Sequence, residues 1–133
     1  MENRDILIDT CLIIDFLRSK NKESTVLWRL MDSYYCNLSS ITVFELFAGA
    51  STETHYADVT RIVKWMKVFT VDEVVAREAG RMYIQLRASD RGIEFRDLFI
   101  AATATINKMM LATKNIRHFS RIASVDILDI DGM

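Results

Sequence analysis

Apolar positions along the chain follow two alternating rhythms. Ile6-Leu7-Ile8 is a short unbroken apolar run ending at Asp9, the pattern of a buried strand. From Thr10 the spacing becomes helical, with Leu12, Ile13, Phe16 and Leu17 on one face. Ser19 to Lys22 is polar and breaks the pattern, and Ser24 is placed to cap a second helix that turns Leu27, Leu30 and Met31 inward. Tyr34 to Leu38 reads as strand two and Thr42 to Ala50 as helix three, with Gly49 near its end. Ala57 to Met66 reads as helix four and Val68 to Val71 as strand three. Val75, Ala79, Met82 and Leu86 recur at helical spacing and predict a long helix ending before Gly92. Asp97 to Ile106 is helical and apolar nearly all round, as in a buried helix. Met109 to Ala112 reads as strand four, followed by a short helix near Phe119 and a last strand at Val125 to Leu128.

Strands alternating with helices predict βαβ crossovers, hence an α/β fold whose parallel sheet is covered on both faces. Ligands in such sheets bind beyond the carboxyl ends of the strands. The 133 residues contain no proline, Gly/Ser linker or repeat, so one domain over residues 1–133 is expected. Half the residues are hydrophobic and 26% are charged, enough apolar material for a core and too little net charge for a disordered chain. No apolar stretch is long enough for a membrane span, and the N-terminus lacks the uncharged run of a signal peptide. A cytoplasmic protein is the expectation, with Cys11 and Cys36 as reduced thiols lacking any zinc-binding spacing. At a net charge of -1, affinity for a polyanion has to come from a local patch or a bound cation.

Three acids stand at loop-to-helix junctions. Asp9 ends strand one in IDTCLIIDFL, Glu45 lies in the first turn of helix three in SSITVFELFAGA, and Asp97 opens the buried helix in FRDLFIAATA. In a parallel sheet Asp9 and Glu45 fall at the same edge, whereas the place of Asp97 does not follow from strand order. Each acid also has a local explanation: Asp9 as an N-cap, Thr42-x-x-Glu45 as a capping box, Asp97 as a partner of the helix dipole. Taken together they suggest more. Neighbouring carboxylates repel unless a cation lies between them, and a hard divalent ion such as Mg²⁺ or Mn²⁺ suits carboxylate oxygens. Such an ion neutralises phosphoryl charge and activates water.

These segments resemble the PIN-domain nucleases, and most closely the VapC-type toxins of bacterial toxin–antitoxin pairs. The resemblance rests on ILIDTCLIIDFL with its Asp9-Thr10 pair, SITVFELFAGA with Glu45, RDLFIAATA with Asp97, and LATKNIRHFSRI, and so covers essentially the whole chain. It implies a five-stranded parallel sheet of order 3-2-1-4-5 with helices on both faces. It also implies that Asp97 stands beside Asp9 and Glu45 as the catalytic and metal-binding set of a Mg²⁺- or Mn²⁺-dependent endoribonuclease. The expected substrate is structured RNA, in tRNA or rRNA loops; the expected partners are a cognate antitoxin in the active-site groove and a second copy in a homodimer. Thr10, Thr113 and Asn115 are expected in supporting roles. Two positions depart from the family pattern: Cys11 stands where Asn or Ser is common, and Asn115 where many members carry a fourth acid.

Arg87, Arg91, Arg96, Lys114, Arg117 and Arg121 make the later part of the chain locally basic, partly cancelled by Asp90 and Glu94. They are candidates for holding RNA phosphates, Arg96 and Lys114 foremost because they flank motif residues. His118 is either a general acid or a surface residue. Trp28, Tyr34, Tyr35 and Trp65 fit a core or interface better than base stacking. Asp15, about two turns into helix one, is expected as a helix-surface charge or a neighbour of the RNA groove rather than a metal ligand. Rival functions are a metal-dependent DNA nuclease or phosphatase, and a non-catalytic interaction module.

Overall fold

The computed structural model describes residues 4–87, 94–122 and 124–131. The elements run β1 (Asp5–Ile8), α1 (Thr10–Arg18), a 3₁₀ turn (Lys22–Ser24), α2 (Val26–Ser33), β2 (Tyr35–Ser39), α3 (Ser40–Ala48), α4 (Glu53–Trp65), β3 (Lys67–Phe69), α5 (Glu73–Arg87), α6 (Phe95–Ile106), β4 (Met110–Ala112) and α7 (Ile116–Phe119). The strands pair in parallel in the order β3-β2-β1-β4. Beyond β4, Ile127 bridges Leu111 in parallel. There the Leu111 N–H donates to Asp126 O at 2.8 Å, and the Leu128 N–H donates to Leu111 O at 2.9 Å. The order 3-2-1-4-5 therefore holds, with its last place taken by a single bridge rather than the run Val125 to Leu128. A short edge exposes little unpaired backbone.

Successive residues of β1 point to opposite faces. Ile6 and Ile8 pack with Leu12, Leu27, Leu30 and Ile62 in one cluster; Leu7 packs with Met82, Ile100, Leu111 and Phe119 in the other. Beyond the exposed Asp5, the Ile6, Leu7 and Ile8 side chains are fully buried, which is why this strand reads as a continuous apolar run rather than an alternating one. Helices α1, α2 and α4 cover the first face, and α5, α6 and α7 the second. Among the described residues no helix is long and apolar enough to cross a membrane.

Several boundaries differ from the sequence reading for local reasons. Helix α2 is capped by Thr25, whose hydroxyl accepts from the Trp28 N–H at 3.3 Å, while Ser24 turns its own hydroxyl to Asn21 O. The cap of α3 is Ser39, the last residue of β2, accepting from the Ile41 N–H at 3.1 Å. The strand thus passes straight into the helix, so Thr42 is an interior helical residue and Glu45 lies in the second turn rather than the first. No capping box between them exists, which removes the local explanation for Glu45. Helix α4 begins at Glu53 behind the Thr52 cap, earlier than the apolar spacing suggested. The end of α5 toward Gly92 lies outside the described residues. Trp28, Tyr35 and Trp65, read as core or interface aromatics, are 43%, 70% and 66% exposed. Tyr35 begins β2 and Trp65 precedes β3, so both belong to the sheet edge opposite Asp9.

Candidate active site

The cluster grows from the carboxyl end of β1. The Asp9 N–H donates to Ala112 O at 2.9 Å, continuing the β1–β4 ladder by one residue. Its carboxylate is fully buried. Oδ1 accepts from the Thr10 N–H at 2.8 Å, Oδ2 accepts from the Thr113 hydroxyl at 2.7 Å, and the Cys11 thiol lies 3.6 Å from Oδ2. Asp9 is therefore an N-cap and a member of the cluster at once. Glu45 reaches the same place because β2 pairs with β1 and runs directly into α3. Thr10 Oγ1 lies 2.6 Å from Glu45 Oε1 and 3.0 Å from the buried Thr42 hydroxyl, tying α1 to α3. Asp97, third residue of α6, is 4% exposed.

Between the three carboxylates lies a side chain that residue spacing alone does not place there. The Arg96 guanidinium donates from Nε to Glu45 Oε2 at 2.6 Å and from Nη2 to Glu45 Oε1 at 3.0 Å. Nη2 also donates to Asp9 Oδ1 at 2.9 Å, and Nη1 donates to Asp97 Oδ1. Arg96 thus joins the acids rather than standing outward toward a phosphate. Burial alone would lower its proton affinity, but its hydrogen bonds to Glu45 and Asp9 hold it above the ordinary arginine value. For Asp97, burial pushes the carboxyl up, the Arg96 charge pulls it down, and the charges of Glu94 and Asp9 push it up again; the net direction is upward.

His118, a candidate general acid in the sequence, has a partner that sequence reasoning did not supply. Its Nδ1 lies 3.5 Å from Asp97 Oδ2, on the half-exposed side of α7. Helix α7 is too short to carry a periodic signal, so no pattern could have paired the two. Lys114 is half-exposed and bonded across the rim to Asp15, which lies on the helix surface as expected. The Asn115 backbone N–H donates to Thr113 Oγ1 at 2.9 Å, and its exposed side chain makes no capping bond to α7. Arg117 and Arg121 are exposed near His118, extending the basic rim. Arg91, Asp90 and the Arg87 side chain lie outside the described residues.

Neither cysteine is activated. Burial, then the Asp9 charge, raises the Cys11 thiol, and burial alone raises Cys36 to about 11. A rise of that size cuts the Cys36 thiolate fraction about a hundredfold at neutral pH. Iodoacetamide at pH 7.5–8 is therefore expected to label Cys36 roughly a hundredfold more slowly in the native chain than in denaturant, as read by mass spectrometry. Native labelling at the denatured rate would show the thiol to be accessible and unperturbed.

Beside Glu45 a cavity of about 380 Å³ opens between α1, α3 and α4, lined by Ile14, Leu17, Leu46 and Val59 with Arg18 and Asp58 at its polar margin. It adjoins the acid cluster but does not contain Asp9 or Asp97.

Comparison with known proteins agrees with this architecture. The PIN domain family model matches residues 6–125. Ribonuclease VapC19 of Mycobacterium tuberculosis is 35% identical over 114 residues, covering 85% of this chain and 90% of its own. The tRNA(fMet)-specific endonuclease VapC of Salmonella typhimurium is 28% identical over 127 residues, covering 92% and 96%. The crystal structure of DNA-bound VapBC from Salmonella typhimurium superposes with a TM-score of 0.83 at 26% identity, over 97% of this chain and 99% of that one. With its parallel sheet, the acids gathered at the end of β1 and a family match over nearly its whole length, this chain belongs to the PIN-domain family, among the VapC ribonucleases.

Proposed function

We propose that this chain is a Mg²⁺- or Mn²⁺-dependent endoribonuclease acting as the toxin of a type II toxin–antitoxin pair, one nuclease domain over residues 1–133 working in the cytoplasm. The observation that carries this reading is the convergence of Asp9, Glu45 and Asp97, from three distant stretches, on one positive charge. The donor set fits a hard divalent ion, because every candidate ligand is a carboxylate oxygen. Asp9, Glu45 and Asp97 would hold it. When bound, such an ion supplies charge neutralisation at the phosphodiester and activation of water for attack at phosphorus.

The remaining roles belong to the chain itself. Thr113 and Thr10 orient Asp9 and Glu45 through their hydroxyls. Asn115, held beside Thr113, orients a solvent molecule or substrate oxygen at the rim. Lys114 and Arg117 meet RNA phosphates, and their exposure at the edge of the cluster supports this. Loops of tRNA or rRNA are the substrates we favour; a relative named for tRNA(fMet) supports that class. The cognate antitoxin fills the cavity beside Glu45, whose apolar lining suits a partner segment. A homodimer accounts for large apolar side chains left in solvent, Phe44 at 69% and Phe95 at 65% exposure.

The test is cleavage of total RNA, a single-stranded DNA oligonucleotide and a small phosphoester by the purified chain, with EDTA, Mg²⁺ or Mn²⁺. RNA cleavage only with metal is expected. Cleavage that survives EDTA sinks the metal requirement; faster cutting of DNA or the phosphoester selects the rival nuclease or phosphatase. Absence of all three activities, with no thermal stabilisation by Mn²⁺, leaves an interaction module.

A further inference from the structure

The acid cluster already contains a cation. Arg96 contacts all three acids at once: Nη1 meets Asp97, Nη2 is shared between Asp9 and Glu45, and Nε with Nη2 grips Glu45 by two parallel bonds. Such forked pairing is the strongest ordinary way to neutralise a carboxylate. Asp9 and Asp97 have side chains only 0% and 6% exposed, so water cannot do this for them. A guanidinium is also broad. Its nitrogens spread the three carboxylates around a plane, whereas Mg²⁺ requires its oxygens about 2.0–2.1 Å from one point. Among the described residues, no three acidic, histidine or cysteine side chains converge in that way. The cluster is thus spaced for the arginine it holds.

Resting on the reading of these acids as the metal site, we propose that Arg96 is a built-in competitor of the divalent ion: its guanidinium closes the metal-free cluster and gives way as the metal binds. The side chain is 24% exposed, so one side of it already faces solvent. Its departure removes one positive charge as a doubly charged ion arrives, so the buried acids are never left without a counter-charge. The device keeps the metal-free chain folded around three neighbouring acids and lowers its apparent affinity for metal. The size of that effect follows from occupancy. A competent state populated one-tenth of the time weakens apparent affinity about tenfold.

Calorimetric titration of Mn²⁺ into the metal-free full chain tests this with the parent, Arg96→Gln and Asp97→Asn. Arg96→Gln is expected to bind Mn²⁺ about tenfold or more tightly than the parent, while melting at a lower temperature without metal. Equal or weaker binding by Arg96→Gln, with binding still reduced in Asp97→Asn, overturns the competitor role and leaves the metal site standing. Binding undiminished in Asp97→Asn overturns both. Should Arg96→Gln fail to fold, the parent itself decides by NMR. The Arg96 Nε–H, held by Glu45 Oε2, is expected to exchange slowly without metal and to exchange like a surface arginine once Mg²⁺ saturates the chain. Protection that persists at saturating Mg²⁺ overturns the proposal.

Discussion

Asp97→Asn is expected to lower RNA cleavage by about 10³-fold or more, equivalent to ~4 kcal/mol of transition-state stabilisation, in a chain that stays folded. The substitution keeps shape and a hydrogen-bond acceptor for Arg96 but removes the negative charge. Two effects on metal-free stability oppose each other. Asp97 lies in the first turn of α6, where a negative charge gains ~0.3–1 kcal/mol from the helix dipole. Against this, burial raises its carboxyl above the ordinary value, with Glu94 and Asp9 adding to the rise. For a group raised in the folded state, the contribution to stability is full below its unfolded pKa and is lost as pH rises through the folded value. The parent therefore loses stability that Asp97→Asn does not as pH rises above about 4 in EDTA. At neutral pH the two proteins should agree within about 1 kcal/mol in chemical denaturation. A folded Asp97→Asn cutting RNA at the parental rate, in preparations free of host nuclease, would remove Asp97 from the mechanism.

Phe119→Ala is expected to show the opposite profile, a large loss of stability. Phe119, the last residue of α7, is fully buried and packs in the same cluster as Leu7, Ile100 and Leu111. Truncating such a ring costs about 3–5 kcal/mol through lost burial and the cavity left behind. For a chain of this size that lowers the melting temperature by roughly 10–20 °C. The same side chain anchors the short helix that brings His118 to Asp97, so the site should loosen with the core. A loss below ~1 kcal/mol in urea unfolding would mean that α7 rests on the surface and does not position the site.

How far the sequence reaches can be judged at particular residues. The Ile6-Leu7-Ile8 run revealed a strand buried on both faces because both of its sides meet helices. Asp9 was legible for the same reason: it is the first polar residue after that run. The start of α3 was misplaced because Ser39 serves as the end of a strand and the cap of a helix in one position, and period counting cannot assign a residue twice. The final strand was overread, since Val125 to Leu128 has the apolar composition of a strand but makes one bridge at an open edge. Exposed Tyr35 and Trp65 lie outside the core, which leaves the interface half of their reading, because aromatic content says nothing about which side of an element faces solvent.

By itself, the sequence determined the alternation of strand and helix, the parallel sheet that follows from it, and the identity of three acids, two of them at helix beginnings. These are properties of neighbours in the chain: spacing of apolar side chains and capping chemistry act over a few residues. Only the tertiary structure decided that Arg96 lies among those acids, that His118 faces Asp97, and that Lys114 is bonded to Asp15. Charges meet across space, through contacts between residues as far apart as Asp9 and Arg96. Coulomb energy depends on that distance and on burial, and neither is written in the order of the residues.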